Sequence, residues 1–557
     1  MASNEIEIEE EERSAPPPYE ETAPLIGKSP KNYSTVQKRE KDKEFAESEE
    51  HKLKDFQLIR VPQKAPLFSF RKLWAFTGPG FLMSIAYIDP GNIESDLQVG
   101  AVTQYKLLWV LLWSTVMGLI LQLLSAKLGV VTGQHLAQVC RERYPKPARI
   151  TLWLSMELAI IGSDIQEVIG SALAINILSQ GTVPLWEGCL ITGIDTFIFL
   201  FLESYGLRYL EAFFALLIGV MCAMFGWMYV HTAIEANNQL EVFKGAVIPM
   251  CANCTSDAVV QGLGVVGAVI MPHNLFLHSG LVLSRAISRT DRVEVKEAIK
   301  YNYIESSVAV SVSFFINMFV VCAFGAAIFD KDLPFGTPID VQWACTPKNI
   351  SLLRAVDCLY YSNGMQDWIR YVWAVGLLAA GQSSTMTGTY AGQFVMEGFL
   401  DLKWAKWKRV LLTRSVAMVP CVIIAILAVN ILDVLSDYIN VEQSLLLPFS
   451  LFPLLHATSS KEVMGEFKNS VVWSVVIWIM ALVIIGVNIY FVIDIVALPG
   501  HWWRHTLAAI GLLIYLVVIS YFALFPLLTW YRIKRIKLKV AREKPEMLSK
   551  DTSVTIN

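Results

Sequence analysis

The sequence predicts an all-α membrane protein with twelve transmembrane helices, ten of them arranged as an inverted 5+5 repeat. The 557 residues are 54% hydrophobic and only 17% charged, whereas soluble domains carry roughly a quarter charged residues. Apolar stretches long enough to cross a hydrocarbon core, which takes roughly 20 helical residues, recur along the chain. The first and sixth of these stretches are interrupted by proline beside polar residues, a pattern typical of inverted-repeat membrane folds.

The first 72 residues are polar and acidic, without an apolar run that could serve as a signal peptide. We therefore predict a disordered cytoplasmic N-terminal tail. It carries Pro16, Pro17, Pro18 and Tyr19, a PPxY pattern that WW-domain ubiquitin ligases or adaptors bind as a polyproline II segment. A plain Pro-rich linker is the alternative. Residues 21–26 resemble an acidic dileucine signal for endosomal or lysosomal sorting.

Twelve spans are predicted between residues 73 and 529, and residues 530–557 form a cytoplasmic C-terminal tail. Repeat one covers about 73–232, repeat two about 258–456, and two appended helices about 471–529. In chain order, the spans are about 73–99, 107–130, 150–178, 186–204, 209–232, 258–285, 302–329, 368–390, 409–428, 434–456, 471–495 and 505–529.

Basic residues set the predicted orientation, because they concentrate on the cytoplasmic side of membrane proteins. They lie in the loops after even-numbered spans, for example Arg141 after span 2, Arg208 after span 4 and Lys403 after span 8. Both termini are therefore expected to face the cytoplasm. The net charge of -3 gives no indication of a nucleic-acid partner, and none is expected.

Two outward loops carry cysteines and glycosylation sequons. Cys251 and Cys254 lie in loop 5–6, and Cys345 and Cys358 lie in loop 7–8. Disulfides persist on that side, and four cysteines allow three pairings. The pair at 251 and 254 could instead be half of a zinc site, although no second half has the ligand spacing. The same two loops offer Asn253 and Asn349 as glycosylation acceptors, one in each.

Span 1 contains Asp89, Pro90, Gly91 and Asn92 at about half depth. A carboxylate at that depth costs several kcal/mol unless it is paired, which indicates a functional group. Pro90 removes a donor and Gly91 permits unwinding, so that backbone carbonyls become available as hard oxygen ligands. The alternative is a structural kink in which Asp89 caps a half-helix.

Span 6 has its own interruption at Met271, Pro272, His273 and Asn274. The break leaves the Ala268 carbonyl free, and Met271 adds a soft thioether. Together with Asp89 and Asn92 this gives one carboxylate, one amide oxygen, one carbonyl and one thioether. Such a set suits Fe²⁺ or Mn²⁺, whereas Ca²⁺ and Mg²⁺ prefer oxygen shells.

Span 3 carries a second group of acids, Glu157, Asp164 and Glu167. At 100° per residue they fall within about 80° of one another, forming one acidic stripe. The stripe is typical of a proton relay, with Arg285 in span 6 and Arg414 in span 9 as expected counter-charges. A structural buried ion-pair network is the alternative.

Two histidines follow the break in span 6. His273 and His278 could change charge at mildly acidic pH, and both are candidates for pH sensing or proton transfer. Because they are five residues apart, at most one is expected to face an ion route. The alternative for each is a buried, neutral, hydrogen-bonded side chain.

The two interrupted motifs resemble those of the Nramp family of proton-coupled divalent metal transporters. Residues 381–399 resemble the family's transport signature between spans 8 and 9, and the likeness runs from about Phe70 to Ile533. The resemblance implies a LeuT-like fold, with Asp89, Asn92, Met271 and the Ala268 carbonyl as metal ligands. It also implies Tyr87 lining the inner approach.

The remaining metal ligand is left open between two residues of span 10. Asn440 and Gln443 lie one helical turn apart, and either could complete the shell.

We therefore expect a symporter that moves Fe²⁺ and Mn²⁺, with Cd²⁺, Co²⁺ and Zn²⁺ as further candidates, into the cytosol together with H⁺. No prosthetic group is implied. The expected location is the apical plasma membrane, endosomal-lysosomal membranes, or both. An amino-acid symporter of the same fold and a magnesium-sensing receptor or channel are the competing interpretations. No nucleophile with a positioned base and no nucleotide loop appears, so an enzyme is not expected.

Overall fold

A computed structural model describes most of the membrane domain. The described residues are 59–62, 68–204, 207–234, 238–251, 254, 256–330, 334, 337–347, 349–401, 406–427, 432–497 and 502–543. The PPxY motif at 16–19, the residues 21–26 and the sequon asparagine Asn253 lie outside them.

Described helices fall on every predicted span. The helices of the first repeat and its outer loop are α1 (Phe70–Phe76), α2 (Pro79–Ser84), α3 (Pro90–Thr103), α4 (Leu108–Thr132), α5 (Leu136–Arg143), α6 (Lys146–Leu178), α7 (Leu185–Ser204), α8 (Leu207–Tyr229) and α9 (Gln239–Val247). Helices α1 to α3 form span 1, α4 forms span 2, and α6, α7 and α8 form spans 3, 4 and 5.

The second half of the chain follows the same plan. Its helices are α10 (Ser256–Val269), α11 (His273–Leu281), α12 (Arg292–Ala327), α13 (Ile339–Ala344), α14 (Ala355–Ser362), α15 (Trp368–Leu400), α16 (Lys406–Leu427), α17 (Leu432–Ser459), α18 (Lys461–Met464), α19 (Val471–Ala497) and α20 (Trp502–Glu543). Helices α10 and α11 form span 6, and α12, α15, α16, α17, α19 and α20 form spans 7 to 12.

Within the described residues, seven helical stretches are long and apolar enough to cross a membrane, corresponding to spans 2, 3, 5, 6, 7, 11 and 12. Two shorter apolar stretches, Leu185–Ile194 and Arg414–Ile426, lie in spans 4 and 9. The spans that fall outside this set, 1, 8 and 10, are broken or rich in polar residues. These polar spans are buried among the others, as expected for helices that line a site.

Span 1 breaks just before the predicted motif. Helix α2 ends at Ser84, a 3₁₀ turn covers Ile85–Tyr87, and α3 begins at Pro90 with Asp89 as its N-cap. Proline suits the first helical position because its missing N–H would have no helical partner there. The prediction that Pro90 and Gly91 themselves unwind the helix is therefore wrong. Gly91 is needed for close packing, since a Cβ there would lie 2.5 Å from Gln166 Oε1.

Span 6 breaks over three residues, Ile270 to Pro272. His273 and Asn274, which the motif placed in the break, already belong to α11. The half-helices pack in pairs, α10 against α3 and α11 against α2. The half-helix after the break in span 1 therefore packs against the half-helix before the break in span 6, and the other two halves pack together. This antiparallel arrangement is what the inverted repeat predicts.

A short parallel sheet connects the N-terminal segment to the end of span 6. Strand β1 (Ile59–Arg60) pairs with β2 (Arg285–Ala286). Strand β1 and the start of α1 at Phe70 thus precede residue 73, the predicted boundary of the tail.

In the outer loops, the structure pairs Cys251 with Cys254 and Cys345 with Cys358. In loop 7–8, Asn349 uses its side-chain nitrogen to donate to the Trp343 carbonyl at 3.1 Å and to Thr346 Oγ1 at 2.8 Å. Its role as a glycosylation acceptor stays a prediction.

Candidate metal site between the broken helices

Asp89 is held at the start of α3 with one carboxylate oxygen occupied. Its Oδ1 accepts from the Asn92 backbone N–H at 2.9 Å and from Asn92 Nδ2 at 2.6 Å. The side chain is fully buried, and Oδ2 has no hydrogen-bond partner among the described residues. Asp89 is thus both the cap of a half-helix and a carboxylate with one oxygen still available.

Asn92 contributes a second available oxygen beside it. Its Nδ2 bonds Asp89, while its Oδ1 is buried without a partner in the described part of the chain. Leaving a buried polar atom unsatisfied costs about 1–3 kcal/mol, and more for a charged group. Two such oxygens on neighbouring turns of one helix fit a cation that both would coordinate.

The break in span 6 supplies the other two predicted donors. Ala268 and Met271 are both buried. Pro272 has no N–H, so the Ala268 carbonyl four residues earlier lacks its usual helical partner. Since α10 packs against α3, Ala268 lies on the half-helix that contacts the one carrying Asn92, and Met271 lies in the break that directly follows it.

The structure distinguishes the two candidates in span 10. Asn440 Oδ1 already accepts from Gln166 Nε2 at 3.0 Å. Gln443 Nε2 donates to the Ala159 carbonyl at 2.6 Å, which leaves its buried Oε1 without a partner in the residues described. The free oxygen favours Gln443 as the ligand. Asn440 instead packs its backbone against span 6, where a Cβ on Gly267 would lie 2.3 Å from its carbonyl oxygen.

Gln166 is a site residue that the sequence did not indicate. Its Nε2 donates to Ser436 Oγ at 2.8 Å and to Asn440, and its Oε1 lies against Gly91. It therefore joins span 3 to spans 1 and 10 at the level of the site. Its position between Asp164 and Glu167 on a polar helix is the one signal that could have identified it.

Tyr87 lies in the 3₁₀ turn and connects the break to His278. Its carbonyl accepts from Asn317 Nδ2 at 2.7 Å, and its side chain bonds Gln122. Gln122 Oε1 in turn lies 3.2 Å from His278 Nδ1. Both histidines of span 6 are buried, and His273 Nδ1 has no partner within the described residues. His278 is therefore linked to the break through side chains, while His273 directly follows it in sequence.

The acids of span 3 form a pair with one of the two predicted arginines. Asp164 Oδ1 lies 3.0 Å from Arg414 Nη1, close enough for an ion pair although not aligned as a hydrogen bond. Arg414 Nη2 also donates to the Thr385 carbonyl. Glu167 Oε1 accepts from Ser163 at 3.0 Å. This group of Asp164, Glu167 and Arg414 is called the span-3 pair network below.

Residues 381–399, which the sequence placed between spans 8 and 9, lie within α15 and cover these acids. A Cβ on Gly388 would lie 2.8 Å from Asp164 Oδ1 and 3.4 Å from Glu167 Oε2. Glu157, two turns earlier, is only partly buried and accepts from Trp153 Nε1 at 2.9 Å. Glu157 thus continues the stripe toward the surface, outside the tight packing.

Arg285 does not counter the span-3 acids, so that predicted pairing is wrong. Its Nη2 contacts Glu211 Oε1 at 2.8 Å and the Thr77 carbonyl at 2.7 Å. The reason is position: Arg285 follows α11 at the end of the span, beside the starts of spans 1 and 5. The sequence shows that Arg285 is a charged residue at the end of span 6, but it does not show that Glu211 and Thr77 are its neighbours.

Two further residues complete this cluster. Arg208 donates to Glu211 Oε2 at 3.0 Å and to the Thr77 carbonyl at 2.7 Å. Glu305 accepts from the backbone N–H groups of Gly78 at 2.8 Å and Phe81 at 3.1 Å. We call Arg208, Glu211, Arg285 and Glu305 the inner clamp, because together they hold the start of α2.

A narrow cavity approaches the site from the opposite side. It has a volume of about 30 Å³ and is lined by Pro90, Glu94 and Gln166, with Leu352 and Leu353 of loop 7–8 at its outer end. A water molecule needs at least about 10–15 Å³ of such space, so the cavity holds about two. The site is therefore approached by a narrow cavity on the side of loop 7–8, and the inner clamp lies on the other side of the break in span 1.

No cluster of three His, Cys, Asp or Glu side chains that could hold a metal occurs among the residues described. A site built on Asp89 with amide, carbonyl and thioether donors has only one such residue. Cys251 and Cys254 likewise have no partner ligands for a zinc site in the described part of the chain.

The chain is similar to members of one protein family over most of its length. The Nramp family model, described as natural resistance-associated macrophage protein-like, matches residues 80–494. Natural resistance-associated macrophage protein 2 of Mus musculus and of Homo sapiens are each 53% identical over 481 residues, which is 83% of this chain and 83% of the relative. Natural resistance-associated macrophage protein 1 of Gallus gallus is 49% identical, over 85% of this chain and 86% of the relative.

Solved structures agree with the helical arrangement. A variant of the manganese transporter of Eremococcus coleocola matches with a TM-score of 0.73 and 29% identity, over 86% of this chain and 99% of that one. A nucleobase-cation-symport-1 family transporter in a closed conformation matches with a TM-score of 0.52 and 13% identity, over 82% of this chain and 92% of that one, which shows the fold alone. The predicted LeuT-like, all-α membrane fold is confirmed.

Proposed function

Because the chain belongs to the Nramp family of membrane metal transporters, we propose that it is a proton-coupled symporter carrying divalent transition metal ions into the cytosol by alternating access. Its homologues transport metal ions and are not enzymes, and divalent metal transport is the activity that the family supports. The proton, the direction and the choice of metal are the proposal.

One observation carries it: the buried oxygens Asp89 Oδ2 and Asn92 Oδ1 have no partners in the described residues and lie at a helix break that faces a second break containing Met271. A carboxylate, an amide and a thioether together suit Mn²⁺ and Fe²⁺. The related Eremococcus coleocola protein is named a manganese transporter. We propose Mn²⁺ and Fe²⁺ as substrates and Cd²⁺, Co²⁺ and Zn²⁺ as competitors, with Gln443 Oε1 completing the shell.

Proton transfer is proposed to run through groups beside the metal. Asp89 or His273 accepts the proton, which passes to Glu167 and Asp164 of the span-3 pair network. An acidic outer compartment and the membrane potential would drive both ions inward. Release then requires the start of span 1 to leave the inner clamp, while the narrow outer cavity stays closed.

The test is Mn²⁺ uptake into proteoliposomes at about pH 5.5 and about pH 7.5, a range that histidine and perturbed carboxylates can sense. We expect faster uptake at the acidic pH and loss of about 100-fold or more in Asp89→Ala, because the only carboxylate ligand is removed. The matched control is Asp357→Asn, a partly buried acid of loop 7–8 that lies 3.9 Å from Arg370. Full activity of Asp89→Ala, or uptake that ignores pH, would refute the proposal.

Met271 is proposed to exclude the hard cations. Met271→Ala removes the soft donor, so we expect Ca²⁺ to compete with Mn²⁺ where it does not in the unmodified protein. Met221→Ala is the control, since Met221 is equally buried in span 5. Unchanged exclusion of Ca²⁺ in Met271→Ala would mean that the thioether only fills space.

The location and the tail remain part of the proposal. We propose that both termini lie in the cytoplasm. The protein is proposed to reside in the apical plasma membrane, in endosomal-lysosomal membranes, or in both. A WW-domain ubiquitin ligase or adaptor is proposed to bind the PPxY motif at Tyr19. Replacing Tyr19 by alanine should abolish capture of WW domains and lengthen the residence of the transporter at the cell surface. Unchanged capture would exclude this motif as the binding site.

A further inference from the structure

A groove outside the transport path lies between the end of span 2, the start of span 7 and the loop between spans 10 and 11. It has a volume of about 500 Å³. All three elements lie on the side of the even-numbered loops, which the orientation above assigns to the cytoplasm. Lys127 lies five residues before the end of α4, about 7.5 Å below it at 1.5 Å per residue. Because span 2 is predicted to end at about residue 130, Lys127 lies within one helical turn of that end, where headgroups are expected to meet acyl chains.

The upper part of the groove is basic. Lys127 and Lys296 both line it, together with the polar side chains of Tyr303 and Asn469. Lys127 is half-buried, and its Nζ donates to Asn469 Oδ1 at 3.1 Å, which fixes the ammonium group at the wall. Lys296 is exposed and forms no ion pair within the described part of the chain. Two lysines that line one groove repel each other, so an anion bound between them would be stabilised by both.

The acidic residues next to the groove do not neutralise it. Glu297 follows Lys296 in sequence but pairs with Lys72 at 2.6 Å. Glu466 precedes Phe467 but pairs with Arg292 at 2.8 Å. None of the side chains that line the groove is acidic. The positive charge of the two lysines is therefore directed into the groove.

The lower part of the groove is apolar and open toward lipid. Its wall consists of Ile120, Leu123, Leu124, Ile299 and Trp473. Trp473 is 55% exposed and is preceded by the exposed Val471 and Val472 at the start of α19. Tryptophan is enriched at membrane interfaces, where its ring is amphipathic. A free phosphate would make no apolar contacts with this wall, whereas the acyl chains of a lipid would pack against it.

We propose that this groove binds an anionic phospholipid of the cytoplasmic leaflet, with its phosphate between Lys127 and Lys296 and its acyl chains along Leu123, Ile299 and Trp473. Basic pockets between transmembrane helices on the cytoplasmic side bind such headgroups. The site is distinct from the metal site and does not depend on the proposed symport.

To test this, the full chain is reconstituted into vesicles of defined lipid composition and then extracted with detergent. Native mass spectrometry then identifies the lipid that stays bound to the protein. Vesicles contain phosphatidylcholine alone or with phosphatidylserine. We expect one phosphatidylserine to be retained in preference to phosphatidylcholine. Lys127→Gln and Lys296→Gln should each weaken retention roughly fivefold, because a lysine near an anionic headgroup contributes about a factor of that size, and the double variant more than tenfold.

Lys461→Gln is the matched control, since Lys461 is an exposed lysine in the adjoining loop that does not line the groove. Lys296→Gln changes an exposed side chain, so it reports on binding even if Lys127→Gln fails to fold. Mn²⁺ uptake in phosphatidylcholine vesicles verifies folding of each variant. Equal retention of the two lipids, an unaffected double variant, or displacement of the lipid by inorganic phosphate alone would overturn the proposal.

Discussion

Two buried charged clusters, the inner clamp and the span-3 pair network, are built from the same residue types but differ in how fully their oxygens are bonded. In the inner clamp, both oxygens of Glu211 and both of Glu305 accept hydrogen bonds. In the span-3 pair network, Asp164 Oδ1 and Glu167 Oε2 lack an aligned donor among the described residues. Carboxylates whose two oxygens are both hydrogen-bonded hold structure in place, whereas a carboxylate oxygen without a hydrogen-bond donor is available to accept a proton.

The difference teaches that burial and charge alone do not identify a proton route. Both clusters contain an arginine that is almost inaccessible, Arg285 in one and Arg414 in the other. Each arginine binds an acid and a backbone carbonyl, but the carbonyls bound by Arg285 and Arg208 lie at the start of span 1, whereas the one bound by Arg414 lies in span 8. The second difference is that only the acids beside Arg414 keep oxygens without an aligned donor among the described residues. We therefore propose that the first cluster controls access and the second moves protons.

The largest expected effect comes from breaking the span-3 pair. Arg414→Gln leaves the Asp164 carboxylate buried without a counter-charge, which costs about 3–5 kcal/mol. The double change Asp164→Asn with Arg414→Gln should recover most of that loss, because no buried charge remains. Thermal unfolding of the purified variants measures both.

The surface pair of Arg370 with Asp357 serves as its reference. Arg370 lies 3.9 Å from Asp357 and 3.9 Å from Asp367, and its side chain is 39% exposed. Arg370→Gln should change stability by at most about 1 kcal/mol. A double variant as unstable as Arg414→Gln would contradict the ion-pair assignment.

A smaller, conformational effect is expected from the inner clamp. Arg285→Gln removes charge-assisted hydrogen bonds to Glu211 and Thr77, each contributing about 1.5–3 kcal/mol. The population with span 1 released should rise by about tenfold or more. A cysteine introduced by Ser84→Cys, at a fully buried position in α2, should then react faster with a membrane-impermeant thiol reagent from the cytoplasmic side.

That labelling experiment needs a background in which the free cysteines at 140, 189, 222, 322 and 421 are replaced by serine. Arg292→Gln is its control, because the Arg292 pair with Glu466 is exposed and outside the clamp. If Arg285→Gln and Arg292→Gln label at the same rate, the cluster does not act as a clamp.

The smallest expected effect is the change in Mn²⁺ uptake on replacing Glu157, and it distinguishes this acid of span 3 from Glu167. Glu157 is partly exposed and bonded to Trp153, so Glu157→Gln should change uptake by less than about twofold and keep its increase at acidic pH. Glu167→Gln should instead flatten the pH dependence, because the open carboxylate oxygen is replaced by an amide that does not titrate. Mn²⁺ uptake across the pH range, compared between these two variants, decides whether the whole stripe or only its buried half carries protons.

Features set by local chemistry were predictable from the sequence. Pro90 and Pro272, with the polar residues beside them, indicated that spans 1 and 6 are interrupted, and the pairing of Asp164 with Arg414 follows from two isolated charges in apolar spans. The limits of the breaks were less predictable, because Pro90 is tolerated as the first residue of α3, whereas the turn before it is set by packing around Tyr87.

Contacts between distant segments were not predictable. Glu211 and Glu305 lie 74 and 20 residues from Arg285 in sequence, and nothing local indicates that they meet at the start of span 1. The hydrogen bond from Gln166 to the Asn440 amide oxygen, on which our proposal of Gln443 as a ligand rests, likewise comes from another helix. Such choices are made by the three-dimensional neighbours of a side chain.

The two-residue sheet acts as a mechanical tether. Arg285 gives its backbone to the pairing with β1 and its side chain to Glu211 and Thr77. A displacement of the end of span 6 therefore pulls on the segment at 59–60, and a load applied to that segment is transmitted to the same arginine. Residues 59–60 are in this way mechanically coupled, through a single arginine, to the start of α2.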